Sequence, residues 1–217
     1  MLAVLGAVLL IAVAIVVSQS GGDDEETAAP SGDVQALIDG LPQDGDTIGE
    51  PNAAVTVLEF ADLQCPFCAQ VGTGEIPDLL GGPVSRGEAK VQFRTWAILG
   101  PDSETAAAAA LAAGEQDRLW NFVEAFYAQQ GEENSGYVTD EFLRGIAEDA
   151  GVPDLDQWES DRDPARWSAE IKAVDKQAAG LDFTGTPSFA IDGPRGLTPL
   201  PNAATAADLE QAITEAG

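Results

Sequence analysis

Cys65-Pro66-Phe67-Cys68 holds both cysteines of the 217-residue chain, and it follows Ala54-Val55-Thr56-Val57-Leu58-Glu59-Phe60. The seven residues before it are β-rich and read as a buried strand. The quartet itself opens a helix. Proline is favoured at the first helical position, because the N–H it lacks has no intrahelical partner there. Cys65 is then the N-cap, Pro66 the first helical residue, and Cys68 lies one turn on. Residues three apart share a helix face, and their Cα separation of roughly 5–6 Å suits a disulfide. The pair can pass between dithiol and disulfide with little backbone movement.

A helix N-terminus carries partial positive charge and free N–H groups. It lowers a cysteine pKa from about 8.5 towards a range of ~3.5 to ~7.5. Cys65 is therefore the expected nucleophile and Cys68, further inside, the expected resolving thiol. The bland alternative is a structural disulfide or an inert pair. A three-residue spacing closes too small a loop to constrain the unfolded chain much. Glu59 lies on the strand six residues before Cys65, among apolar neighbours. Both faces of a parallel strand are usually covered, so this carboxylate is expected to be buried with a raised pKa and to exchange a proton with Cys68. The competing reading puts Glu59 at a wet sheet edge.

Composition narrows the chemistry. Histidine is absent, which excludes Ser-His-Asp and Cys-His catalysis. Two cysteines without histidine leave a zinc site short of ligands, so no metal is expected, and no cofactor beyond the Cys65–Cys68 pair. The formal charge is −27, from 37 acidic and 10 basic residues. Nucleic acid needs a basic face and is excluded as a partner. The acids are spread along the chain, which suits solubility, high salt included.

Residues Leu2 to Val17 are uninterruptedly apolar. As a helix they span about 24 Å, a little short of the roughly 30 Å hydrocarbon core. Residues 1–20 are read as an N-terminal transmembrane anchor, with a cleaved signal ending near Ser18-Gln19-Ser20 as the alternative. Either places the rest outside the cytoplasm: at the cell membrane as a single-pass protein, or secreted. Residues 21–45 are small, acidic and Gly/Pro-punctuated and read as a flexible linker, in which Val34, Leu37, Ile38 and Leu41 have the spacing of an amphipathic turn or two.

The folded part is expected from Asp46 to Gly217. A helix from Pro66 to about Leu80, disturbed at Gly72–Gly74 and Pro77 and stopped by Gly81-Gly82-Pro83, leads to a second strand at Lys90–Trp96. Strand, helix and parallel strand make a βαβ unit. Helices follow at 103–113, capped by Asp102 or Ser103, then at 116–129, from Thr139 to about Ala150, at 154–160 and at 165–179. The β pattern returns at Gly185–Ile191, with Asp192-Gly193 as a turn, a short strand at 196–200 and a closing helix at 204–216. Trp96, Trp120, Phe122 and Phe126 read as core. Asp154, Asp156, Asp161 and Asp163 read as a solvated helix surface, the alternative being calcium; they lack the glycine and glutamate of the usual loop. Thr186-Pro187 precedes the returning strand, where a cis proline would leave the neighbouring backbone free to pair with an extended substrate.

Leu58-Glu59-Phe60, Cys65-Pro66-Phe67-Cys68, the helical block at about 101–180 and Gly185-Thr186-Pro187-Ser188-Phe189 together resemble the DsbA-like thiol-disulfide oxidoreductases. The resemblance covers about residues 46–217 and implies an α/β, thioredoxin-like fold with an all-helical domain inserted between core strands. It implies Cys65 as nucleophile, Cys68 as resolving thiol, Glu59 as the buried acid and Pro187 as a cis proline beside the sulfurs. Pro66, Phe67, Thr186 and Pro187 are then the substrate-binding positions. Phe67 stands where the best-known oxidases of the family have histidine. The implied activity is a dithiol oxidase acting on exported proteins with free cysteines and reoxidised by a membrane quinone-linked thiol oxidase. A reductase or isomerase outside the cytoplasm, or a tethered binding module without catalysis, are the alternatives.

Overall fold

The computed structural model describes residues 32–200 and 205–217. A six-stranded sheet runs in the order β1-β2-β4-β3-β5-β6: β1 Gln43–Asp44, β2 Thr47–Ile48, β3 Val55–Ala61, β4 Ala89–Thr95, β5 Ser188–Gly193 and β6 Gly196–Leu200. β3 is central. It pairs in parallel with β4 and antiparallel with β5. The parallel crossover carries α2 (Pro66–Thr73) and α3 (Glu75–Leu79).

The two faces of β3 enter different cores, as the two-residue side-chain period requires. Leu58 and Phe60 meet Trp96, Val174, Ala178 and Ala190 under α8 (Pro164–Gly180). Val55, Val57 and Ala61 join the larger core beneath α2, α3 and the closing α9 (Ala206–Ala216). Between β4 and β5 lie α4 (Pro101–Gly114), α5 (Leu119–Ala128), α6 (Asp140–Asp149), α7 (Leu155–Asp161) and α8. α4 is the axis of this block, and Ala106 to Ala113 are all buried. Small side chains let α5, α6, α7 and α8 approach it closely. Trp120, Phe122 and Phe126 are buried on α5.

Several boundaries differ from the sequence expectation. The segment read as a linker to residue 45 contains a helix, α1 (Gly32–Asp39), together with β1. Ile38 is 1% exposed, and α1 packs on α5, so apolar spacing outweighs the acidic, Gly-rich composition. The helix after Pro66 breaks at Gly74, whose φ and ψ are −113° and −77°, within the stretch expected to disturb it. The stop falls within Gly81-Gly82-Pro83 as expected: Gly82, at φ −98° and ψ −112°, is non-helical and kinks the turn through Leu80–Val84. α4 is capped by Gly100 at φ 129°, where a side chain would be strained, and not by Asp102 or Ser103. α5 begins at Leu119, three residues late, after Asp117 adopts φ 55°. β5 begins at Ser188, and the hairpin turn falls at Pro194-Arg195, two residues past Asp192-Gly193.

Asp154 and Asp163 cap α7 and α8 by accepting from Gln157 N and Ala165 N, and Asp161 pairs with Arg166. The apolar run Leu2–Val17 lies outside the described residues. Among those described, no helix is long and apolar enough to cross a membrane.

Candidate active site

Cys65 sits where β3 hands over to α2. Its φ and ψ are −73° and 119°, extended as an N-cap requires, and Pro66 follows at the first helical position. Both cysteines are free thiols. Cys65 keeps 5% of its surface open and Cys68 none. The Cys68 thiol hydrogen-bonds the Cys65 sulfur, so the two side chains face one another.

The two sulfurs are driven apart in acidity. The hydrogen bond from Cys68 is the largest influence on Cys65 and brings its pKa down to about 6; burial opposes this, while Thr186 and the backbone N–H groups of Cys68 and Phe67 assist it. Burial pushes Cys68 far up, and the hydrogen bond and charge of Cys65 add to that. One sulfur is ionised at neutral pH and the other holds its proton.

Thr186-Pro187 is a cis peptide, placed directly across from the pair. In its protonated form the Cys65 thiol donates to the Thr186 carbonyl oxygen at 3.5 Å. Phe67 is 64% exposed beside it. Cys65, Cys68, Pro66, Phe67, Thr186 and Pro187 thus come together at one end of the sheet.

Glu59 is elsewhere on the same strand. It is flanked in the sheet by Phe93 and Phe189, on the face of the larger core, and is 1% exposed. A position between two paired strands leaves no wet edge. Neither carboxyl oxygen has a hydrogen-bond partner, so no direct bond joins it to Cys68. Burial alone raises its pKa to about 8.

The three-residue link between β3 and Cys65 carries structure that motif reading passes over. Asp62 is 1% exposed, and its carboxylate accepts from Gln64 N at 2.9 Å, Ile98 N at 2.8 Å and Leu99 N at 3.0 Å. Gln64, fully buried, donates to Ser103 Oγ at 2.9 Å and accepts from Asn134 N at 3.0 Å. Gln130 donates to the Leu63 and Cys65 carbonyls at 2.7 and 3.2 Å. The Tyr127 hydroxyl donates to the Asp62 carbonyl at 3.4 Å. The helical block therefore grips the cysteine loop from one side. Polar side chains wedged between a buried strand and a helix must find partners, and that rule is the signal by which Asp62 and Gln64 were findable.

A family model described as Thioredoxin matches residues 43–214. The chain belongs to the thioredoxin family. Within it, the chain is a DsbA-like thiol-disulfide oxidoreductase. It is similar to the probable disulfide bond formation protein D of Bacillus anthracis, 27% identical over 151 residues, which are 68% of this chain and 69% of that protein. Among solved structures it resembles a thioredoxin-like oxidoreductase from Silicibacter pomeroyi DSS-3, at 28% identity and a TM-score of 0.64 over 86% of this chain and 97% of that one. BdbD from Bacillus subtilis, in its oxidised form, shares the fold at a TM-score of 0.69 and 20% identity, over 81% and 96% of the two chains. Thiol-disulfide exchange needs one thiolate and one protected thiol, and the split acidity of Cys65 and Cys68 matches that requirement.

Proposed function

We propose that this DsbA-like oxidoreductase is a dithiol oxidase for exported proteins, with the Cys65–Cys68 pair as its whole redox centre. The observation that carries the reading is Cys65 at the N-cap of α2, beside Cys68 and the cis Thr186-Pro187 peptide, a setting that holds its pKa at about 6. At pH 7 such a sulfur is about nine-tenths thiolate. Relative to a free thiol this favours the reduced pair by about 1.4 kcal/mol, or roughly 30 mV of oxidising power.

In the forward reaction a substrate thiolate attacks Cys65 of the oxidised pair. The Cys65–Cys68 bond breaks, a substrate–Cys65 disulfide forms, and the electron pair leaves on Cys68. Cys68 takes up a proton, with neutral Glu59 as its source. A second substrate thiolate then attacks the first substrate sulfur, and Cys65 departs as its stabilised thiolate. The substrate has lost two electrons and gained a disulfide, and the Cys65–Cys68 pair has gained the two electrons. Pro66, Phe67, Thr186 and Pro187 form the surface on which the substrate chain lies. A membrane quinone-linked thiol oxidase returns the pair to the disulfide. The apolar run Leu2–Val17 tethers the protein outside the cytoplasm.

Equilibration against glutathione tests the direction. A potential well above about −270 mV, the range of a cytosolic reductant, is expected. A potential as low as that overturns the oxidase reading in favour of a reductase or isomerase. Unchanged activity in Cys65→Ser would leave only a binding module.

A further inference from the structure

Beside Glu59 the larger core holds a cavity of about 10 Å³, room for a single water. Its wall includes Gly72 and Ile76 of the crossover, Val34 and Ile38 of α1, and Trp120 and Val123 of α5. Three titratable side chains also line it: Glu59, Tyr127 and Glu124. Glu124 comes from α5, in the helical block, and is 5% exposed. It has no hydrogen-bond or ion-pair partner among the described residues. Both carboxyl oxygens of Glu59 are sealed without a partner, and Glu124 is not among the groups so sealed, which puts it on the outer side of the wall.

We propose that Glu124 is a positioning residue for proton transfer: together with the cavity water it links Glu59 to solvent through the seam between the helical block and the crossover. The proposal rests on the reading of Glu59 as the acid that serves Cys68. Glu59 is enclosed by paired strands and has no other outlet on a polar side chain of that wall except Tyr127, whose hydroxyl is committed to the Asp62 carbonyl. Tyr127 cannot release its proton near neutral pH, because burial and the charges of Cys68 and Glu59 hold its pKa well up. Burial places Glu124 at about 7, against about 8 for Glu59. A proton moving outward thus passes between carboxyl groups of near-matched affinity, both poised at neutral pH. α1, which sequence composition assigns to a linker, contributes Val34 and Ile38 to the wall.

The step that needs this outlet is resolution, when the reduced pair is reoxidised through a mixed disulfide on Cys65. Glu59, neutral at rest with its pKa at about 8, first gives its proton through the water and Glu124 to solvent, and the carboxylate so formed takes the proton of the Cys68 thiol. The Cys68 thiolate attacks Cys65, the Cys65–Cys68 bond forms, and the thiolate carried on Cys65 leaves. Glu59 is left neutral, as the next oxidation of a substrate requires.

The test uses the reduced full chain and oxidised glutathione, with stopped-flow separation of the two steps: attack by Cys65, then release of the second glutathione by Cys68. In Glu124→Gln the second step is expected to slow about tenfold at pH 7, to acquire a larger solvent deuterium effect, and to recover partly in Glu124→Asp. The first step and the final equilibrium constant should stay within a factor of about two. A purely structural role for Glu124 would move neither the isotope effect nor the split between steps. Glu59→Gln is measured alongside. If it slows resolution while Glu124→Gln does not, the outlet proposal is overturned and the role of Glu59 stands. If neither slows it, both fall, and thiol exchange at Cys65, read from the first step, is untouched.

Discussion

Replacing Glu59 by glutamine should make the reduced protein more stable, and increasingly so as the pH rises. The side chain is 1% exposed, has no hydrogen-bond partner, and its pKa is raised from 4.5 to about 8 by burial. A raised folded-state pKa means that the native state binds the proton more tightly than the unfolded chain. The contribution to stability is therefore fully present below pH 4.5 and is lost as the pH rises through 8. Linkage over that window makes the loss about 1 kcal/mol at pH 5, about 3 kcal/mol at pH 7 and about 5 kcal/mol at pH 9. Glutamine has its own desolvation cost, but that cost does not change with pH. The informative quantity is thus the growth in the stability difference, about 2.5 kcal/mol between pH 5 and pH 7. Urea unfolding of both proteins at pH 5, 6, 7 and 8, under reducing conditions, measures it. A difference that stays constant across that range would show that Glu59 titrates normally in the fold, and the argument for it as a neutral proton donor would fail.

Other substitutions test the remaining parts of the site. Cys68→Ala removes the largest stabiliser of the Cys65 thiolate and should raise the Cys65 pKa from about 6 by about one to two units, the worth of a hydrogen bond to a charged group. Cys68→Ser keeps a donor and should hold it low, as thiolate absorbance against pH will show; equal values for the two variants would count against the hydrogen bond. Asp62→Ala strands the three N–H groups that its carboxylate binds and should cost about 2–4 kcal/mol in chemical denaturation, with slower attack at Cys65. Gly72→Ala drives a Cβ to within 2.6 Å of the Tyr127 ring. A loss of about 1–3 kcal/mol is expected from the crowding, and wild-type stability in that variant would mean α5 can move away from α2.

How much of this was readable in one dimension differs from residue to residue. The N-cap position of Cys65 and the first-turn position of Pro66 follow from local backbone chemistry, which needs no partner from elsewhere. β3 and β4 announce themselves for the same reason: Val55-Thr56-Val57 and the alternation at Lys90–Thr95 carry their own period. α1 was obscured because composition averaged Val34, Leu37 and Ile38 with the acids and glycines around them, whereas burial depends on which face α5 covers. Gly100 took the cap of α4 from Asp102 and Ser103 because Ser103 is recruited by Gln64, 39 residues away in sequence.

Order along the chain thus settled the placing of both cysteines in one helical turn, the strand–helix handover that makes one sulfur acidic, and the return of a strand behind Thr186-Pro187. These depend on neighbours within a turn or two, where the backbone dictates geometry. Folding in space settled what lies across from those groups: the Thr186 carbonyl 3.5 Å from Cys65, the grip of Gln130 and Tyr127 on the cysteine loop, and the meeting of Glu59 with Glu124 on one cavity wall. Such pairs are separated by between 65 and 121 residues, and desolvation, which sets their acidity, exists only once the helices have closed over them.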